Sequence, residues 1–292
     1  WPASMRWPVS LWHLMYAQPR EFQPNPNRTA QENHGAYLVE GLAHCGACHT
    51  PRGIGFQEKA LYDDTSGNFL AGSVLEGWFA KSLRNEGVGL ETWSSADIVE
   101  FLRTGRTDIT AAFGSMAEVV EHSTQYFTAT DLEAMAAYLS SLAPKPGREA
   151  TWQPQPDTTT AQLRNGEFDS LGAIIYAQEC AACHRMDGMG APRVFPALAG
   201  NSIVFAEEPS SMIQVTMAGG RMPHTEHDTM AFAMPGFYHL SNQDLADVLN
   251  FIRNGWGNHG SEITPRDIAR MRKIVDNAPQ HFVPQAQEAD YE

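Results

Sequence analysis

The stretch Cys45-Gly46-Ala47-Cys48-His49 recurs downstream as Cys180-Ala181-Ala182-Cys183-His184, and the two together use all four cysteines of the 292-residue chain. On a helical turn, residues i, i+3 and i+4 share one face. Each pentapeptide therefore projects two thiols and an imidazole together. Thiols so placed can add to the two vinyl groups of a porphyrin, and the imidazole then lies under the iron as its fifth ligand. Each Cys-x-x-Cys-His is read as a haem c attachment site. Cys45, Cys48, Cys180 and Cys183 are the covalent anchors, and His49 and His184 are the iron ligands. The competing chemistries are a zinc half-site and a redox dithiol. Zinc pairs usually lie within a few tens of residues of each other, whereas these stand at 45 and 180. A dithiol needs neither a following histidine nor a twin.

Formal net charge is −14, and haem propionates would make it more negative. That argues against nucleic acid and anionic lipid as partners. It suits a partner with a basic face, or solubility alone. No apolar run approaches the length of a membrane span; Leu171 to Ala177 is a short core-helix piece. The chain starts at Trp1 without a methionine and shows no signal peptide, which reads as a mature or trimmed product. Thioether attachment of haem implies maturation outside the cytoplasm. The expected location is therefore the periplasm, with any contact to the inner membrane peripheral.

The fold expected is all-α, with two tandem c-type cytochrome domains. Residues 1–33 read as an N-terminal extension or connector, 34–143 as the first domain, 144–166 as a Pro-, Gln- and Thr-rich linker, 167–260 as the second domain and 261–292 as a polar tail. In the extension, Trp1, Trp7 and Trp12 are expected to bury against the first domain; left exposed, they would form a binding surface. A helical pattern from His34 runs into the first motif. Leu75 to Ala80 reads as a further helical piece. Ser94 or Ser95 is the expected cap of a helix ended by Gly105. Thr130 with Glu133 reads as the capping box of a closing helix, on which Leu132, Met135, Tyr138 and Leu139 fall at helical spacing. In the second unit Gly172 to Ala177 leads into the motif. Leu245, Val248, Phe251 and Ile252 follow the capping pattern at Ser241 to Asp244, and Trp256-Gly257 ends that helix. The same motif, order and offsets recur, so the chain contains an internal repeat. In the tail, Ile263 to Ile274 is expected to be helical, and the end with Pro279 and Pro284 mobile.

An iron that carries electrons needs a sixth ligand, and thioether sulfur raises its potential. Met116 is the one methionine between the first motif and its closing helix, with His122 as the competing candidate. The second unit offers Met186, Met189, Met212, Met217, Met222, Met230 and Met234. Met186 and Met189 stand too near His184 to cross a haem. Met222 and Met234 each precede a proline that stiffens the loop. Met234, just upstream of the closing helix, is favoured, and Met222 comes next. Most of the others read as core packing. His224, His227 and His239 read as surface groups or neighbours of the site.

Gly35-Ala36-Tyr37-Leu38-Val39-Glu40-Gly41 and His44 to Arg52 resemble the cytochrome c subunits of membrane-associated bacterial alcohol, aldehyde and sugar dehydrogenases, including the gluconate 2-dehydrogenase type. So do Leu75-Glu76-Gly77-Trp78, Gly114 to Val120, Phe195 to Asn201, Met234-Pro235-Gly236-Phe237 and Phe251 to Asn258. The likeness runs over residues 1–275. It implies Met116 and Met234 as axial ligands. It also implies three haem domains in the usual family member, of which the first is absent here; this chain starts where the connector after it would lie. A C-terminal membrane-binding helix, common in the family, is not evident, so membrane contact is expected to run through a partner.

The function expected is electron transfer by a subunit that is not an enzyme by itself. It carries two covalently bound haem c groups and no catalytic residue of its own. It would accept electrons from a catalytic dehydrogenase subunit of flavin, PQQ or molybdenum type and pass them toward quinone or a terminal oxidase. The rival is a dihaem enzyme, a peroxidase or a thiosulfate dehydrogenase. A peroxidase needs an acid–base group over one iron, for which Glu118 and His122 are the residues at hand. Quinol oxidation at a haem edge is a third reading.

Overall fold

The computed structural model describes residues 6–17, 20–148, 153 and 155–277. The expectations for Trp1 and for the segment around Pro279 and Pro284 lie outside the described residues. Helices dominate. In chain order they are α1 (Trp7–Tyr16), α2 (Ala30–Tyr37), α3 (Gly46–His49), α4 (Ser95–Thr104), α5 (Ser115–His122), α6 (Ala129–Ser141), α7 (Thr159–Asn165), α8 (Leu171–Ile175), α9 (Ala181–His184), α10 (Ser210–Ala218), α11 (Asn242–Asn254) and α12 (Pro265–Asn277). Two antiparallel ribbons interrupt them, β1 (Ser73–Leu75) with β2 (Trp78–Ala80) and β3 (Gly220–Arg221) with β4 (Ala233–Met234). Among the described residues no helix is long and apolar enough to cross a membrane.

Apolar side chains gather in two cores. Leu38, Val39, Phe69, Leu102, Leu132, Met135 and Tyr138 fill the first, between α2, α4 and α6. Tyr176, Met217, Leu245, Leu249 and Ile252 fill the second. Ile268, Met271 and Val275 of α12 also belong to it, so the second core continues past residue 260. Each core is closed by a contact between helix backbones. A Cβ on Gly35 of α2 would lie 1.9 Å from the Ala134 carbonyl oxygen of α6. One on Gly172 of α8 would lie 2.2 Å from the Asp247 carbonyl oxygen of α11.

Several local elements differ from expectation. α2 starts before His34, because Thr29 caps it and Glu32 completes the capping box. Leu75 to Ala80 is a hairpin: Glu76 and Gly77 take φ of 51° and 81°, the left-handed pair that a tight two-residue turn requires. Ser94 caps α4 and Gly105, at φ 75°, ends it. The cap of α6 is Thr128 with Asp131, two residues before Thr130 and Glu133, because Thr128 is the residue with extended backbone. Ser241 and Asp244 box the start of α11, which ends at Asn254. The stretch read as linker contains α7, whose Thr159 and Leu163 are buried. Its start is tied to the first unit by Lys145 N–H donating to Glu86 Oε2 at 2.9 Å. Trp7 and its helix are not buried on the first domain: α1 has no buried residue, Trp7 is 68% exposed, and Trp12 reaches back only to donate to the Gly55 carbonyl.

The two cores are joined by more than the connector. The Phe79 amide donates to Ser211 Oγ at 2.7 Å, the Ala197 amide to the Ile109 carbonyl at 2.8 Å, and Lys81 Nζ to Ser202 Oγ at 2.8 Å. Arg193 reaches Glu100 at 2.6 Å and Asp228 at 2.8 Å. Burial pushes the Asp228 carboxyl up, but the hydrogen bond from Arg193 and the charge of Arg106 outweigh it and hold the group below its ordinary range.

Gly35→Ala and Gly172→Ala are each expected to lower stability by about 3 kcal/mol, the upper end of overpacking costs. Gly41→Ala, whose Cβ meets no atom within 4 Å, should change it little; denaturant midpoints decide. A carboxyl with a depressed folded-state pKa contributes stability that is present above its unfolded pKa and lost as pH falls through the folded one. Asp228→Asn should therefore destabilise the protein at neutral pH, and its deficit against the unaltered protein should shrink as pH is lowered to about 3.

Candidate haem sites

Both pentapeptides are delivered in the same way. After α2 the chain widens into a π-helical turn, Leu38–Leu42, in which the Ala43 amide donates to the Leu38 carbonyl at 2.8 Å. Cys45 caps α3, and Cys48 and His49 ride on it. After α8 a second π turn, Tyr176–Cys180, is closed by the Ala181 amide on the Tyr176 carbonyl, and α9 carries Cys183 and His184. A π turn adds a residue to the ring of each hydrogen bond and turns the following residues off the helix face, a distortion common at functional sites.

The histidines are oriented by backbone. His49 Nδ1 lies 2.7 Å from the Lys81 carbonyl, and His184 Nδ1 lies 2.9 Å from the Pro196 carbonyl. Burial lowers the pKa of both rings, so both are neutral. A carbonyl only accepts, so each Nδ1 carries the proton and each Nε2 presents a lone pair. Such a bond on the far nitrogen fixes tautomer and ring direction in metal-ligating histidines.

The burial of the thiols is the opposite of what a redox dithiol needs. That chemistry needs a lowered pKa, whereas burial pushes Cys45 and Cys180 up to about 12 and also raises Cys48. The four cysteines are free. Among the described residues no three His, Cys, Asp or Glu side chains gather as a metal-binding group, so the two pairs do not assemble a zinc set. Two apolar thiols beside one directed imidazole fit the edge and the iron of a covalently held porphyrin.

The methionines sort by which core they touch. Met116, in the first turn of α5, is half-buried and packs on the first core, as does Cys45. His122, at the far end of the same helix, is exposed, as is Glu118. Met234, on β4, is half-buried and packs on the second core, to which Cys180 belongs. Met222 is buried at the mouth of the same ribbon, where its amide donates to the Phe232 carbonyl at 2.9 Å, and lies outside that core. Met212 and Met217 are core residues of α10, Met186 packs beside them, and Met189 and Met230 are exposed. His224, His227 and His239 are exposed; ring nitrogens of the first two meet the Thr229 and Gln125 carbonyls.

Sequence reasoning missed both carbonyl partners. Lys81 directly follows the segment read as helix, and a backbone acceptor leaves no side-chain signature. The Lys81 ammonium sits 4.9 Å from the Trp93 ring centre, and burial pulls its pKa down to about 7.

Residues 170–256 match the cytochrome c family. The chain is 46% identical over 278 residues to the alcohol dehydrogenase (quinone) cytochrome c subunit of Gluconacetobacter polyoxogenes, covering 93% of this chain and 59% of that protein. It is 42% identical over 280 residues to the gluconate 2-dehydrogenase cytochrome c subunit of Pantoea cypripedii, covering 94% of this chain and 63% of that one. Cytochrome c-552 of Thermus thermophilus is 37% identical over 90 residues, 30% of this chain and 68% of the relative. The chain thus spans about three fifths of the length of the dehydrogenase subunits it matches.

Proposed function

Because the chain belongs to the cytochrome c family, we propose that it is an electron-transfer segment with two tandem haem c domains, working beside a periplasmic dehydrogenase. The observation that carries the reading is the matched pair of histidines, each with Nδ1 on a carbonyl and each closing a Cys-x-x-Cys-His turn. Haem c, when bound, supplies a one-electron ferric–ferrous couple.

The chain's own residues do the rest. Cys45 and Cys48 would hold one group and Cys180 and Cys183 the other. His49 and His184, with Met116 and Met234, would ligate the two irons. The Lys81 and Pro196 carbonyls polarise the two imidazoles and keep them from turning. The relatives' names point to the donor as the catalytic subunit of an alcohol or sugar dehydrogenase. The acceptor is quinone or a terminal oxidase, and any membrane contact is peripheral. The enzymatic rival gains nothing from the site: Glu118 and His122, the acid–base groups it would need, face solvent.

Mass spectrometry of the denatured chain should find two haem additions, and one after Cys180→Ser with Cys183→Ser. A chain carrying none would remove the proposal. Imidazole in place of thioether lowers a haem potential. Met116→His should lower one midpoint potential and Met234→His the other, each by a tenth or more of the roughly 0.8 V span that axial ligands cover. Redox titration of the two variants distinguishes them. If Met222→His moves the second potential and Met234→His does not, the ligand is Met222. In stopped flow, a reduced dehydrogenase partner should reduce both haems.

A further inference from the structure

The ribbon that carries Met234 is seated on the other unit. Its strands pair only Gly220 with Met234 and Arg221 with Ala233. So short a ladder does not hold a hairpin by itself. The loop between the strands, residues 222–232, lies instead on residues 105–125. A Cβ on Gly105 would stand 2.2 Å from Pro223 Cγ. Glu121 pairs with Arg221 at 3.2 Å and accepts from the His224 amide at 3.3 Å. Gln125 accepts from the Glu226 amide at 2.8 Å.

Arg106 is the centre of this contact. Its side chain is 1% exposed. Nη1 donates to the Arg193 carbonyl at 3.1 Å, Nη2 donates to the Met230 carbonyl, and Nε lies 3.4 Å from Asp228 Oδ2. The guanidinium carbon stands 5.5 Å from the Phe232 ring centre. Asp228 in turn closes a turn with Thr225 and takes Arg193 at 2.8 Å. A first-unit side chain therefore fixes the backbone of the second unit's loop at Met230, four residues before Met234.

We propose that Arg106 is a positioning residue for the Met234 sulfur, so that the axial bond of the second haem depends on the fit between the two units. This rests on the reading of Met234 as ligand. Without the planar fork, the Arg193 and Met230 carbonyls lose their donor and Asp228 loses one of its two cationic neighbours. The loop then relaxes and the short ribbon with it. Met116 packs on its own unit's core, and its helix meets the loop through Glu121, at the end away from Met116.

The test uses holoprotein carrying Arg106→Gln and, from the loop side, Asp228→Asn. The readouts are the two midpoint potentials, the sulfur-to-iron charge-transfer absorbance of the ferric protein and carbon monoxide binding by the ferrous protein. In Arg106→Gln the potential that responds to Met234→His should fall, while the one that responds to Met116→His stays. About half of the charge-transfer absorbance should be lost, and carbon monoxide should bind one haem per chain. Asp228→Asn should move the same potential less, and Arg106→Lys should restore part of the loss. Two unchanged potentials in both variants would overturn the proposal, as would equal shifts of both haems, which mark general loosening. If Met234→His itself moves neither potential, the ligand reading fails first and the clamp loses its object.

Discussion

At Gly35 and again at Gly172, two helix backbones meet with no side chain between them, and everything downstream is placed by that contact. α2 lies on α6 and α8 on α11 at a separation only glycine permits. Each entering helix is thereby fixed in rotation and depth. The π turn that follows has one direction to go, and the short helix with the two thiols and the imidazole emerges at the edge of the core. A side chain at either glycine would move the pentapeptide together with the helix. The histidine would then lose its carbonyl partner, which comes from a different part of the chain.

The two units meet that demand with different material. In the first, Tyr138 of α6 donates to Glu40 at 2.7 Å inside the π turn, beside the Arg28 guanidinium at 4.6 Å from the Tyr138 ring centre. Burial pushes the Glu40 carboxyl above its ordinary range. In the second, Tyr176 lies within the π turn itself, donates to the Arg185 carbonyl at 2.6 Å and packs between Phe251 and Trp256. One unit pins its turn with a polar network, the other with an aromatic cluster and one hydrogen bond. The repeat is preserved at the level of geometry, which explains why it is plain in motif order and weak in residue identity.

What could be read in the chain and what could not divide along that line. The pentapeptides, the closing helices and the caps at Ser94 and Ser241 are local patterns, in which spacing and side-chain type carry the information. Leu75 to Ala80 misled because an apolar hexapeptide fits either period, and the two left-handed residues that make it a hairpin show up only as Glu-Gly. α7 went unseen because seven residues with only Ala161 and Leu163 apolar have little amphipathic signal; its burial is decided by the second core. The carbonyls over His49 and His184 left no trace, since any residue can supply one. Met116 stands alone between its motif and its closing helix, so the sequence offers no rival methionine there. Loop length favours Met234 over Met222, whereas the ribbon that brings both to one place is a tertiary feature.

Long irregular stretches raise a further problem, which three buried arginines solve. A loop wrapped over a core carries carbonyls that water cannot reach and that no ladder satisfies. Arg84 donates to the Ala143 and Phe69 carbonyls at 2.7 and 3.0 Å, within the first unit. Arg253 donates to the Val204 and Ala206 carbonyls at 2.7 and 2.9 Å, within the second. Arg106 does the same for Arg193 and Met230, across the boundary. A guanidinium offers five donors in a rigid fork and gives up its hydration more readily than an ammonium. It can therefore fasten two loop carbonyls at once. Two of the three fasten a unit to itself; the third has the same chemistry and the opposite address, so the units share their loops as well as a surface.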